Sequence, residues 1–425
     1  MKILVLHNAY RQRGGEDAVV EAEIALLRRA GHEVHLHHVS NQQIDGVGAR
    51  FGALVRVAHN RDAARQVAGL VRETQAQIVH VHNFFPLLSP AVHGAARQAG
   101  AAVVQTLHNY RLLCANAMFL RDGKPCTDCL EGSRTTALVH RCYRGSLPGS
   151  ATLMAMQRAT RGDWQEQIDR FIVLTRFSRE IFVRGGLPAD RLFVKPNFVA
   201  RADIPPANAR EGALFVGRLS PEKGVASLIA AWRSIPEIPL TVIGSGPLDA
   251  ALRSAAPGNV TFIGPLPRDA VLQRMAQARL LVFPSIWYEG FPMTLVEAMA
   301  AGLPIVAARI GAAAEIVTPE LGALFTPGDT QDLANKVREV HGADPGPLSA
   351  AARRQYELAY TDDTNLALLE RCYAEALERR RRSDGQGLKL GTAQALGEEP
   401  GGPDLGGACA SPHPRHREVQ PVKRG

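Results

Sequence analysis

The feature that most constrains this chain is a repeated alternation of short, nearly unbroken apolar runs with longer helical patterns. Ile3–His7, Glu33–Val39, Gln77–His82, Ala101–Leu107, Arg170–Leu174 and Leu192–Lys195 predict strands, with helices over stretches such as Asp17–Ala30, Phe51–Arg72 and Pro90–Ala99. Strands apolar on both faces belong to parallel sheets covered by helices on either side. A second series starts beyond Lys195–Phe198 and the polar, proline-containing stretch Arg201–Arg210. Its strands are Ala213–Val216, Leu240–Ile243, Val260–Ile263, Leu280–Phe283 and Pro304–Ala307. The expected fold is therefore α/β, two doubly wound units joined near residue 200. Such sheets bind ligands at the carboxyl ends of their strands. Thr364–Arg382 reads as one amphipathic helix, and the Gly- and Pro-rich tail Ser383–Gly425 lacks periodicity and is expected to be disordered.

Composition narrows the class. A chain of 425 residues holds two or three domains. No apolar stretch is long enough to predict a transmembrane helix. The N-terminal run reads as a first strand and not as a secretory signal. Six cysteines make no disulfide scaffold, so a reducing cytoplasm is the expected compartment. Residues 1–200 carry 25 Lys+Arg against 16 Asp+Glu, and the remainder 24 against 25, so the basic excess lies entirely in the first half. That half suits acidic lipid, lipid-linked phosphate or nucleic acid, and it equally suits plain solubilising arginines.

Three segments carry chemistry. In Phe283–Gly302 a strand ends at Pro284, a loop holds Glu289, and Pro292 stands where a helix begins. The amides of Phe291, Pro292-flanking Met293, Thr294 and Leu295 then face out of a helix terminus, a ready phosphate site. Glu289 and Glu297 flank it and suit hydroxyls, which sugar rings carry on either side of a diphosphate. In Val216–Val225 a strand ends at Gly217, and Arg218 and Lys223 follow, an Arg fork and a Lys point charge able to reach one diphosphate. After the first strand, Gly14 and Gly15 allow a ligand close to the backbone. No P-loop occurs, and Gly244-Ser245-Gly246 lacks the third glycine of a dinucleotide fingerprint.

Taken together, Glu289-x7-Glu297, the Gly217–Gly224 stretch and Ile243–Leu248 resemble the retaining glycosyltransferases of family four, which have the two-domain GT-B fold. The resemblance covers most of residues 1–380. It implies an acceptor-binding domain over 1–198 with a cysteine-containing insertion at 111–145, and a nucleotide-sugar domain over 199–360. A helix over 361–382 would cross back to the first domain, leaving the tail 383–425. By the same resemblance Glu297 holds ribose hydroxyls, Glu289 faces the donor sugar, and Arg218 and Lys223 clamp the diphosphate. Gly15 approaches it from the first domain, and His108 stands beside the reacting centre. The implied activity moves a hexose, such as mannose, glucose or galactose, from a UDP- or GDP-sugar to a glycan or lipid-linked acceptor in cell-surface polysaccharide synthesis, with retention. Fixed cations would replace a catalytic metal, so no further cofactor is expected. A GT-B sugar-nucleotide epimerase is the nearest competitor, though it would want extra acid/base groups. A nucleic-acid binder is a weaker one, since aromatic residues are 6% and no such motif is present.

Two further features stand apart. His35 and His37, like His80 and His82, alternate along strands with no acidic or thiol neighbour in sequence, and read as strand-end residues and not as ligands. Cys114, Cys126, Cys129 and Cys142 follow as Cys-x11-Cys-x2-Cys-x12-Cys, with a hairpin-like Arg121–Pro125 between. Four thiolates around a C-x-x-C turn can form a structural zinc site; the alternative is a set of buried or surface thiols. The uncharged segment Gly145–Gln157 that follows reads as a core helix or, with the basic first half, as contact with an acidic membrane surface.

Overall fold

In the computed structural model, residues 1–11, 14–44, 52, 56–201 and 210–395 are described, the side chains of 163–165 and 385–395 excepted. Two six-stranded parallel sheets organise them. The first is built from β1 (Lys2–Ala9), β2 (Glu33–Ser40), β3 (Ile78–Asn83), β4 (Ala102–Leu107), β7 (Arg170–Val173) and β8 (Leu192–Val194), in the order β2-β1-β3-β4-β7-β8. A small hairpin, β5 (Leu120–Arg121) and β6 (Lys124–Pro125), lies between β4 and β7 in sequence. The second sheet holds β9 (Glu211–Val216), β10 (Leu240–Ile243), β11 (Val260–Gly264), β12 (Ala278–Phe283), β13 (Ile305–Ala308) and β14 (Gly322–Phe325), in the order β11-β10-β9-β12-β13-β14. The doubly wound α/β reading is thus correct. β14 has no counterpart among the expected strands; its four residues, Gly-Ala-Leu-Phe, are too short a run to stand out.

Chain order reverses between β1 and β3 in one sheet and between β9 and β12 in the other. At such switch points the loops leaving adjacent strands diverge to opposite faces and open a crevice. Residues after β1, β3 and β4, and those after β9 and β12, accordingly lie where a ligand can reach them. Strands buried on both faces hold this geometry: Ile3, Leu4, Val5 and Leu6 are all essentially inaccessible. The helix Arg61–Thr74 covers one face of the first sheet with Val67 and Val71, one turn apart, each contributing about 1.5–3 kcal/mol by burial. Gly52 and Arg56 are helical but 57–60 are not, so the expected Phe51–Arg72 helix is interrupted, and the Asn60 side chain, accepting from the amides of Asp62 and Ala63, fixes the new start. Most of the segment before it lies outside the described residues.

The other face is covered by the helix Gly15–Arg29 and by a helix that begins at Asp362, after the second sheet is complete. Leu369, Cys372, Tyr373 and Ala376, at i, i+3, i+4 and i+7, pack with Ile3, Val5 and Val104 of the first sheet. Met1–Arg380 form one compact unit. The last helix extends to Ala395, beyond the Arg382 read from the sequence, since isolated glycines cost a helix only about 1 kcal/mol each. Residues 383–395 are therefore helical where a disordered tail was expected; 396–425, and 202–209 of the polar stretch Arg201–Arg210, lie outside the described residues. The segment Gly145–Gln157 falls mostly in the helix Leu147–Glu166, whose Leu153 and Met156 are buried in the first domain's core. Among the described residues no helix is long and apolar enough to cross a membrane.

Candidate active site

On the second sheet, three loops meet above β9, β10 and β12. Gly224 follows the short 3-10 turn Pro221–Lys223 in the left-handed region, with φ 67°. A Cβ there would come within 1.9 Å of the Pro284 carbonyl oxygen, so only glycine lets the loops touch. The contact brings Lys223 beside the Glu289 loop. Lys223 Nζ donates to Glu289 Oε1 at 2.7 Å, and the same oxygen accepts from Ser285 Oγ at 2.6 Å and Trp287 Nε1 at 3.2 Å. Glu289 is buried, and Lys223 also lies over the Trp287 and Phe283 rings. Ser285 and Trp287 were missed by the sequence reading, although they stand four and two residues before Glu289 in the same segment.

Arg218 does not join this pair. Its guanidinium is largely exposed and donates to Glu222 at 2.9 Å and to Ser220 Oγ at 3.2 Å. Gly217 closes the end of β9, its amide donating to the Ile243 carbonyl at 3.0 Å. The helix Met293–Ala300 begins one residue later than expected, with Pro292 in the capping position. Leu295 N–H is already spent on the Pro292 carbonyl at 3.0 Å, which shortens the run of outward amides. Phe291 is used for packing, against the Tyr360 ring, and Met293 rests on the second domain's core. Thr294 stays half-buried at the terminus. Glu297 on this helix lies 3.5 Å from Arg268, and burial pushes its carboxyl upward.

The first domain meets this loop at His108. A Cβ on Gly290 would stand 2.1 Å from the His108 carbonyl oxygen, so Gly290 lets the two domains' loops abut. His108 shares a hydrogen bond of 3.0 Å between its Nε2 and His82 Nδ1, and burial lowers its pKa to about 3. It is therefore a neutral imidazole near neutral pH. Behind it His82 Nε2 lies 3.7 Å from Glu23 Oε2, and Glu23 pairs with the fully buried Lys195. Burial raises the Glu23 pKa, but the Lys195 charge opposes it and the carboxyl ends below its ordinary value. His82, at the end of β3 as the sequence suggested, is thus also a partner of His108. Glu23 sits on the apolar face of its helix with Val20, Ile24 and Leu27, and a carboxylate in that stripe was the available signal.

Near the glycine pair, Gly14 caps the helix Gly15–Arg29, its amide donating to Asp17 Oδ2 at 2.7 Å, and Asp17 also binds His7 at 2.8 Å. A Cβ on Gly15 would meet nothing within 4 Å. Glu16 accepts from Tyr10 OH at 3.1 Å, and burial pushes its carboxyl up to about 7, with Arg111 acting in the opposite direction. Arg111 reaches Tyr10 OH at 3.4 Å and stacks on Phe85. Arg111, Leu112, His82 and His108 line a small cavity of about 30 Å³ on the first domain's side.

Among the described residues, Glu23, His80 and His82 are the group whose three ligand-type atoms lie within 4.8 Å of one another. They do not suit a cation. His80 Nδ1 and Nε2 are both taken, by Tyr373 OH and Thr106 Oγ1 at 2.8 Å each, and Lys195 already balances Glu23. Cys114, Cys126, Cys129 and Cys142 are free thiols in the insertion.

Residues 13–202 match the family model described as Glycosyltransferase Family 4, and residues 199–353 the model described as Glycosyl transferases group 1. An exopolysaccharide phosphotransferase of Streptomyces coelicolor is 31% identical over 50% of this chain and 24% of its own length. An amylovoran biosynthesis glycosyltransferase of Erwinia amylovora is 33% identical over 39% of this chain and 44% of its own. A sulfoquinovosyl transferase of Arabidopsis thaliana is 32% identical over 33% and 29%. The chain thus spans less than half the length of these curated relatives. Among solved structures, the lipopolysaccharide outer core galactosyltransferase WaaB superposes with TM-score 0.60 at 18% identity, over 88% of this chain and 99% of that one. Anabaena HepE in complex with UDP gives 0.62 at 18%, over 88% and 100%. The fold is GT-B.

Proposed function

On the premise that this GT-B chain, matched over residues 13–353 by two glycosyltransferase models, is itself a glycosyltransferase, we propose that it moves a hexose from a UDP- or GDP-sugar to a glycan or lipid-linked acceptor in polysaccharide synthesis, with retention at the anomeric carbon. The observation that carries the reading is the Lys223–Glu289 pair at the second sheet's switch point, abutting His108 across the cleft. HepE was solved with UDP, which favours a nucleoside diphosphate sugar as the first donor to try.

The chemistry follows from charge. As the bond from the anomeric carbon to the diphosphate breaks, negative charge builds on the leaving group, and a preorganised cation stabilises it most where water is excluded. Lys223, half-sheltered by Trp287 and Phe283, is that cation, and Arg218 swings from Glu222 to supply a second. The outward amides at Met293 and Thr294 bind phosphate oxygens, Glu297 accepts from ribose hydroxyls, and Gly14 and Gly15 admit the diphosphate from the other side. Glu289, fixed by three donors through one oxygen, accepts from a sugar hydroxyl with the other. Neutral His108 serves as a hydrogen-bond partner beside the sugar and not as a charge. No separate carboxylate nucleophile is assigned, and the acceptor attacks from the face the leaving group departs. The basic first half suits an anionic acceptor or the inner face of an acidic membrane.

Lys223→Ala tests this directly. Transfer is expected to fall by at least about 10²-fold, the scale of losing one transition-state donor, in a variant that still folds. Full turnover in the variant would overturn the assignment.

A further inference from the structure

The insertion between β4 and β7 sends Leu112, Leu113, Ala115, Phe119 and Ala137 into the core of the first sheet, yet holds little regular structure. Its regular structure amounts to two two-residue strands and two four-residue helices before the helix Leu147–Glu166. Ala117, Phe119, Asp122, Arg141 and Arg144 all have left-handed backbones, and the only other such non-glycine positions among the described residues are Gln75 and Ser89. Each such residue costs on the order of 1–3 kcal/mol and persists only where its surroundings over-determine it. A covalent or metal staple is one device that holds a segment in such a conformation.

The four thiols sit where such a staple would act. Cys114, Cys126, Cys129 and Cys142 all line one enclosed cavity of about 10 Å³, roughly the room of one water, with Ala115 and Phe119 in its wall. The Cys114 thiol donates to Asn116 Oδ1 at 2.9 Å, and the same oxygen accepts from the Met118 amide at 2.9 Å. Arg121 lies near Cys126 and Cys142 and is tied to Asp128, inside the C-x-x-C turn, at 2.6 Å. Arg134 lies near Cys129.

We propose that these four cysteines bind one structural zinc ion, which fixes the insertion against the cleft. On binding, four S–H groups release their protons to solvent and four Zn–S bonds form, tetrahedral and about 2.3 Å long. The resulting net charge of about −2 is offset by Arg121 and Arg134. As the thiols stand, no three of the four sulfurs lie within 4.8 Å of one another, so binding requires them to turn inward. Soft thiolate ligands select zinc over magnesium or calcium. The consequence reaches the site. Arg111 and Leu112, which line the cavity beside His108, stand three and two residues before Cys114, and the Phe119 ring meets Tyr288, the residue before Glu289, at 6.1 Å between centroids.

The test is elemental analysis of the purified full chain, dialysed free of loose metal, beside the Cys126→Ser/Cys129→Ser double variant. About one zinc per wild-type chain is expected, lost in the double variant. Cobalt substituted into the wild-type protein should show sulfur-to-metal charge-transfer absorption, a readout that needs no variant to fold and no sugar to be transferred. A metal-free chain with all four thiols alkylated in the native state would overturn the proposal. So would disulfides between them, or zinc retained by the double variant.

Discussion

Lys223 and Glu289 show what a single residue pair can reveal. Both stood out in the sequence because each lies just past a strand in a short, motif-like run. What the run did not disclose is that they pair with each other, at 2.7 Å, while Arg218 turns to Glu222. Side-chain partners across loops depend on glycine contacts such as Gly224 on Pro284, which carry no periodic signal. Glu16 escaped the reading altogether, and it yields a pH prediction. Its carboxyl holds its proton up to about pH 7 in the folded chain, against an ordinary value near 4.5, because it is buried. A raised carboxyl pKa leaves stability fully present below the unfolded value and removes it as pH rises through the folded one. At about 1.4 kcal/mol per unit, discounted for partial exposure, the loss is about 2 kcal/mol. Urea melts of wild type and Glu16→Gln at about pH 5 and pH 8 should converge at the lower pH, with the variant falling less at the higher. Parallel losses in both would contradict a raised Glu16.

Elements were more readable than their ends. The strands of both sheets announced themselves as apolar runs, and the helix Arg61–Thr74 announced itself by Ala63, Val67 and Val71 at fourfold spacing. The break before it was not legible because a side-chain cap at Asn60 outweighs hydrophobic pattern locally. β14 was missed because four residues offer too little pattern. The last helix carries a sharper consequence. Leu369, wholly buried, attaches a segment that follows the second sheet to the first sheet. Leu369→Ala should cost about 2–5 kcal/mol, the usual range for a buried leucine truncation, read by chemical denaturation. A cost below about 0.5 kcal/mol, the level of an ordinary surface change, would mean that the helix does not hold the first sheet.

At the scale of the molecule, two doubly wound sheets dictate two switch points, and the site residues cluster at both. That much follows from alternating strands and helices. The relation between the two halves does not, because it rests on contacts such as Gly290 against His108 and Phe177 with Arg176 donating their amides to Glu315, between residues far apart in sequence. The buried chain from His108 through His82 to Glu23 and Lys195 was likewise hidden, each member being ordinary in its own segment. If the cleft grips a nucleotide-sugar with its own cations, binding should stabilise the full chain by mass action, by about 2.7 kcal/mol at a hundredfold excess over Kd. The decisive measurement is the melting temperature of the full chain against UDP- and GDP-sugars, with and without added magnesium. A rise with one donor base, independent of magnesium and absent in Lys223→Ala, is the expected result; no rise with any donor at saturating concentration would contradict a preformed nucleotide-sugar site.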